Sequence, residues 1–271
     1  NQYYLQELTM EQIKEFLNDS SSRIKTYLLS DGNLCAHLPI DYIKEKLYDN
    51  SSLARELARY ILKKQGHTDP ASICRQALKQ EKVKPGHLLG LAETGQKSDC
   101  RILLEHLPNP GYKIRQAVYE GLSYLDKDMA ISYLIKGLND KSGKVRRVCA
   151  ANLNRFSDEI INDQLRSEFK SMTEKGKVAA LGILCYKKSW KSLCDIMSVM
   201  IDKNEILCEK AWNELEQWIQ IRNSKLWVKP DLELLKKIEN SIQTMHDIPS
   251  NKMKLWEDLR MLIEAGKKIW K

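Results

Sequence analysis

Apolar residues recur along the chain at helical spacing and, through its middle, with a second and longer period. From Leu103, steps of 31 residues reach Leu134, Leu165 and Ile196, and a parallel series runs Leu107, Leu138, Phe169, Met200. Positions four apart share one face of a helix, so each unit opens with a helix A. A helix B follows, with columns Ile114, Val145, Gly176, Leu207, then Val118, Cys149, Ala180, Ala211, then Leu122, Leu153, Leu184, Leu215. Between A and B stand Asn109, Asp140, Ser171, Asp202 and then Gly111, Ser142, Thr173, Asn204, which are turn and N-cap types in register. Gly176 is the weak member of its column, since it fills an apolar slot.

One unit back, Val83, His87 and Leu91 continue the B columns, with Gly95 as C-cap, and further back the register slips. Leu53, Leu57 and Ile61 predict another B-type helix, and Asp69-Pro70 is a helix start. TMEQIKEFL and IDYIKEKLY predict amphipathic helices near the N-terminus, and DLELLKKIENSIQTM and SNKMKLWEDLRMLIEAGKKIW two longer ones near the C-terminus. Strand alternation is absent, so the expected fold is all-α. The expected organisation is an N-terminal helical cap with degenerate repeats over 1–80, repeats over 81–216 and capping helices over 217–271, terminal units being atypical.

The segments PGYKIRQAVYEGL and KSGKVRRVCAANL resemble the short HEAT repeats of the type described in phycobilisome-lyase relatives. The resemblance covers residues 96–216 well and 51–95 loosely. It implies a right-handed α-solenoid of antiparallel helix pairs, with B helices lining a concave side used mainly for binding. Adaptors, lyase subunits and, more distantly, alkylpurine DNA glycosylases share the repeat, so it carries no substrate.

Composition narrows the class. With 42% hydrophobic and 30% charged residues the chain can build an ordinary core. The longest apolar stretch, Val178 to Tyr186, is far short of the roughly 20 residues that span a bilayer. No membrane association is expected, and the opening Asn1 suggests a piece of a longer polypeptide. Seven scattered cysteines without a CxxC pair read as reduced, which favours the cytoplasm.

Little in the sequence promises chemistry. His37, His67, His87, His106 and His246 share no metal-ligand spacing, and phosphate-loop, GxSxG and zincin motifs are absent. No metal, cofactor or catalytic residue is expected. A glycosylase-like relative would need an aromatic stack with a placed carboxylate. Trp256-Glu257-Asp258 is the one tight pairing of that kind, and its place on the last amphipathic helix reads as packing with solvated acids.

Charge is more informative. Residues 141–190 hold eleven Lys/Arg against five Asp/Glu, most of the net charge of +8. Lys82 and Lys84, Lys113 and Arg115, Lys144 and Arg146, Lys175 and Lys177 flank the first inward position of helix B in four successive units. Cations there oppose the helix dipole. Two readings stay open: a basic edge that binds polyanions or acidic protein, or internal bonding in which Arg146 holds the Asp140 carboxylate. The column Tyr119, Ala150, Leu181, Trp212 supplies a second candidate surface, with Tyr119 and Trp212 as anchors and Arg147, Asn154 and Gln116 beside them. The expected function is a non-catalytic scaffold binding a protein partner with an acidic and apolar segment; the alternative is a nucleic-acid-binding HEAT array, including a HEAT-like DNA glycosylase.

Overall fold

A computed structural model describes residues 9–18, 21–30, 38–80, 82–156, 158–200, 202, 204–221 and 228–270, so Cys35 and His37 lie outside the described residues. Among these the regular structure is helical throughout. The chain divides into two compact units, Asn1–Tyr133 and Leu134–Lys271.

The first unit carries α1 (Met10–Asn18), α2 (Ser22–Ser30), α3 (Ile40–Lys46), α4 (Ser52–Lys64), α5 (Pro70–Gln80), α6 (Pro85–Thr94), α7 (Cys100–Glu105) and α8 (Tyr112–Leu125). Helix α9 (Lys127–Gly137) contains the division. The second unit continues with α10 (Gly143–Phe156), α11 (Glu159–Glu168), α12 (Glu174–Leu184), α13 (Trp190–Met200), α14 (Glu205–Gln220), α15 (Leu232–Thr244) and α16 (Met253–Ile269). The expected boundary at 216 falls inside α14, whose last turns bury Trp218 and Ile219.

The 31-residue columns are the core. Every member of the three B columns is buried, and so are Leu103, Leu134, Leu165 and Ile196 of the first A column. In the second A column Leu138 and Met200 are buried, Leu107 and Phe169 half-buried. Each fully buried leucine contributes about 1.5–3 kcal/mol over its exposed state, which makes these columns the main source of cohesion between paired helices. Their register and their pairing make each unit an all-α repeat of packed helix pairs.

The turn columns act as their residue types require. Asn109 Oδ1 accepts from Gly111 N at 2.8 Å, Asp140 Oδ1 from Ser142 N at 2.7 Å and Asp202 Oδ1 from Asn204 N at 2.9 Å. Thr173 and Asn204 then cap α12 and α14 by accepting from Gly176 N and Leu207 N. The exception is Ser171, whose hydroxyl turns back to Glu168 O. Asn139 Oδ1 takes its place, accepting from Thr173 N at 2.8 Å and Thr173 Oγ1 at 3.0 Å.

One register expectation fails. Helix α6 starts at Pro85, so Val83, Lys82 and Lys84 precede it instead of forming its first turn. Proline fixes φ and lacks an N–H, which suits the first helical position and sets the start there.

The second unit closes with aromatic packing. Trp190 meets Trp218 and Trp270 edge-on at centroid separations of 5.0 and 5.3 Å, and Trp212 meets Trp256 of α16 at 6.1 Å. Indole N–H groups find carbonyls, Trp190 at Val228 and Trp218 at Ser189.

Candidate functional site

In the second unit the B helices α10, α12 and α14 pack side by side, and a groove of about 670 Å³ lies across them. Helix α10 contributes Arg146, Arg147, Ala150 and Asn154; α12 contributes Glu174, Lys175, Val178, Ala179, Gly182 and Ile183; α14 contributes Ile206, Lys210 and Glu214. Within each helix these positions recur every three or four residues, so each helix offers one stripe. The core stripe of α10, Val145, Cys149 and Leu153, occupies a different face. The floor is made of small residues, and a β-carbon on Gly182 would meet only the Lys210 Cε and Nζ, both at 3.9 Å.

Arginines at one helical position serve the turns. Arg115 Nη1 donates to Asn109 O at 2.8 Å and Pro110 O at 2.9 Å. Arg146 Nη1 donates to Asp140 O at 2.6 Å and Lys141 O at 3.2 Å. Arg55 Nη1 does the same with Asp49 O and Asn50 O, while its other nitrogens clasp Glu93 of α6. Each arginine sits four residues after the N-cap position and reaches five and six residues back, binding the carbonyls that lead into its helix. Arg146 therefore holds the backbone of Asp140 and not its carboxylate, the bond that one of the two open readings gave it. Arg55 was missed, although Ser51 to Arg55 repeats the spacing of Ser142 to Arg146.

The sequence candidates fall into distinct places. Lys82, Lys84, Lys113, Lys144 and Lys175 are exposed, Arg146 and Lys177 half-buried, and Arg115 is buried at 7% exposure. Lys82, Lys84, Lys113 and Arg115 belong to the first unit, Lys144, Arg146, Lys175 and Lys177 to the second. Arg147 and Asn154 both line the groove, and Arg146 and Lys175 join them there. Tyr119 and Trp212 do not serve as open anchors: they are 6% and 3% exposed. Trp212 is covered by Trp256 of the capping helix α16, and Leu181 of the same column is wholly buried.

The groove's charges are unequally neutralised. Glu214 of α14 accepts from Lys188 and Lys210, both at 2.5 Å. Burial would push its carboxyl up, but those hydrogen bonds prevail and hold it below the usual carboxylate range. Arg146, Arg147 and Lys175 have no carboxylate partner among the described residues. Away from the groove, Arg166 of α11 ties Asp195 of α13 to Glu159 and Asp163, a network the periodicity does not reveal.

Among the described residues no group of three His, Cys, Asp or Glu stands where it could hold a metal ion, and no helix is long and apolar enough to cross a membrane.

No family model matches the chain, and no curated protein matches it. Several solved structures resemble it. Escherichia coli YibA is 17% identical, with 90% of this chain and 96% of that chain covered and a TM-score of 0.44. The archaeal HEAT-like repeats protein of Thermococcus onnurineus is 13% identical, covering 97% and 99%, with a TM-score of 0.40. The complex of CpcE and CpcF of phycocyanin lyase from a Nostoc species is 16% identical, covering 87% and 95%, with a TM-score of 0.33. With TM-scores of 0.44 and below these likenesses carry no argument, and the groove is read from this chain's own residues.

Proposed function

We propose that the chain is a non-catalytic HEAT-like scaffold that binds a protein partner through the groove across α10, α12 and α14. The observation that carries this reading is the groove itself: a small-residue, apolar floor of Ala150, Val178, Ala179 and Gly182 beneath a rim of cations without carboxylate partners. Small floor residues let a partner's backbone approach closely, while the rim steers its arrival and orientation. Among the described residues the lining contains no histidine, cysteine or serine that would suggest a nucleophile and base. The described lining also contains no aromatic ring on which an unstacked base could rest, which favours protein over single-stranded nucleic acid. The reading includes a cytoplasmic setting, since the six described cysteines are free and buried or half-buried.

A photo-crosslinking side chain placed at Ala179, compared with one at exposed Ser167 on α11, tests the proposal in native extract. Discrete protein adducts from position 179 that disappear on adding Gly182→Leu support it. Equal adducts from both positions, or adducts to RNA alone, contradict it.

A further inference from the structure

The groove's distribution of charge and hydrogen-bonding groups narrows what fills it. The N-terminal parts of α10 and α12 supply Arg146, Arg147 and Lys175. Arg146 binds the carbonyls of Asp140 and Lys141 through Nη1 alone, and no carboxylate among the described residues bonds its guanidinium. Arg147 makes one long contact with Gly143 O at 3.4 Å, and Lys175 is exposed. Against these three cations the nearby lining sets one carboxylate, the exposed Glu174. The later turns differ, because Lys210 is already taken by Glu214, which Lys188 also holds. There the lining turns to Ile183 and Asn154, whose Oδ1 is buried with no hydrogen-bond partner.

Resting on the protein-binding reading above, we infer that the occupant is a short peptide segment of the partner, acidic at one end and apolar at the other. Its carboxylates meet Arg146, Arg147 and Lys175, and its apolar side chains lie on Ala150, Ala179 and Gly182. The charge match is the argument for an acidic segment, since a basic one would stack like charges on three cations without carboxylate partners. The missing aromatic rings are the argument for a peptide over a polynucleotide.

Panning a random twelve-residue peptide display library on the full chain, with counter-selection on Gly182→Leu, tests this without knowledge of the partner. Leucine at 182 projects into the groove, and a β-carbon there meets only the flexible end of Lys210 at 3.9 Å, so α12 should remain folded, which circular dichroism checks. Enriched clones should be acidic and apolar, and synthetic copies should bind Arg147→Glu or Lys175→Glu about tenfold or more weakly. Groove-dependent clones that are neutral or basic overturn the acidic assignment and leave protein binding standing. Failure to enrich any clone that Gly182→Leu rejects overturns both, and capture of a single-stranded oligonucleotide at the same face would replace the peptide with a polyanion.

Discussion

The side chain of Asn139 fills the space that a β-carbon on Gly176 would need: such an atom would lie 2.3 Å from Asn139 Oδ1. That oxygen is fixed by the Thr173 N–H and hydroxyl, so the glycine and the asparagine are one device that closes the turn into α12.

Gly176→Ala should therefore destabilise the second unit despite alanine's better helix propensity. Losing two hydrogen bonds costs about 1–3 kcal/mol, and the propensity gain is about 1 kcal/mol. The net loss of about 1 kcal/mol should reverse when Asn139→Ala is already present, because the obstructing oxygen is gone. Urea unfolding of both single variants and the double variant measures this coupling.

Two basic residues two positions apart on α8 should behave differently. Arg115 is buried and binds two turn carbonyls, so Arg115→Ala should cost about 2–3 kcal/mol, and Arg115→Lys should recover only part because one ammonium does not reproduce the planar fork. Lys113 is exposed, and Lys113→Ala should stay within about 0.5 kcal/mol of wild type by thermal melting.

The helices and their core faces were legible because a 31-residue period repeats the same burial, and the N-cap columns were legible because Thr173 and Asn204 can do little else at those positions. The groove was legible only in part. Arg147 and Asn154 fall on it, but the Tyr119 column is displaced by five residues from the first inward column, about 140° around the helix, which points it toward flanking packing. Trp212 is buried for a reason the period cannot encode, since α16 lies outside the repeat. Gly176 looked like a defect because its partner, Asn139, belongs to the preceding unit; short Ser171 in a column otherwise filled by Asn or Asp was the available clue.

Acid should weaken the second unit through Glu214. Its carboxyl is held below its ordinary value, so the ionised form stabilises the fold above the unfolded-state value, and that contribution is lost as pH falls through the folded-state value. Asp195 has the opposite sign, because burial raises its carboxyl despite Arg166, and it offsets part of the loss by taking up its proton earlier. Glu214→Gln should lower stability at neutral pH and flatten the decline between about pH 5 and pH 3, which melting temperatures across that range will show.

Single-stranded oligonucleotides should bind only through diffuse electrostatics. Fluorescence anisotropy should register weak binding that falls steeply with salt and is unchanged by Gly182→Leu. Loss of binding in that variant would move the groove's assignment to nucleic acid.

The most direct measurement of the central claim is the affinity of a groove-selected acidic peptide for the wild type, Gly182→Leu and Lys113→Glu, each confirmed folded. A loss of about tenfold or more from Gly182→Leu, with Lys113→Glu within about twofold, is the predicted result. Unchanged affinity in Gly182→Leu, or an equal loss in Lys113→Glu, would contradict a docking site across α10, α12 and α14.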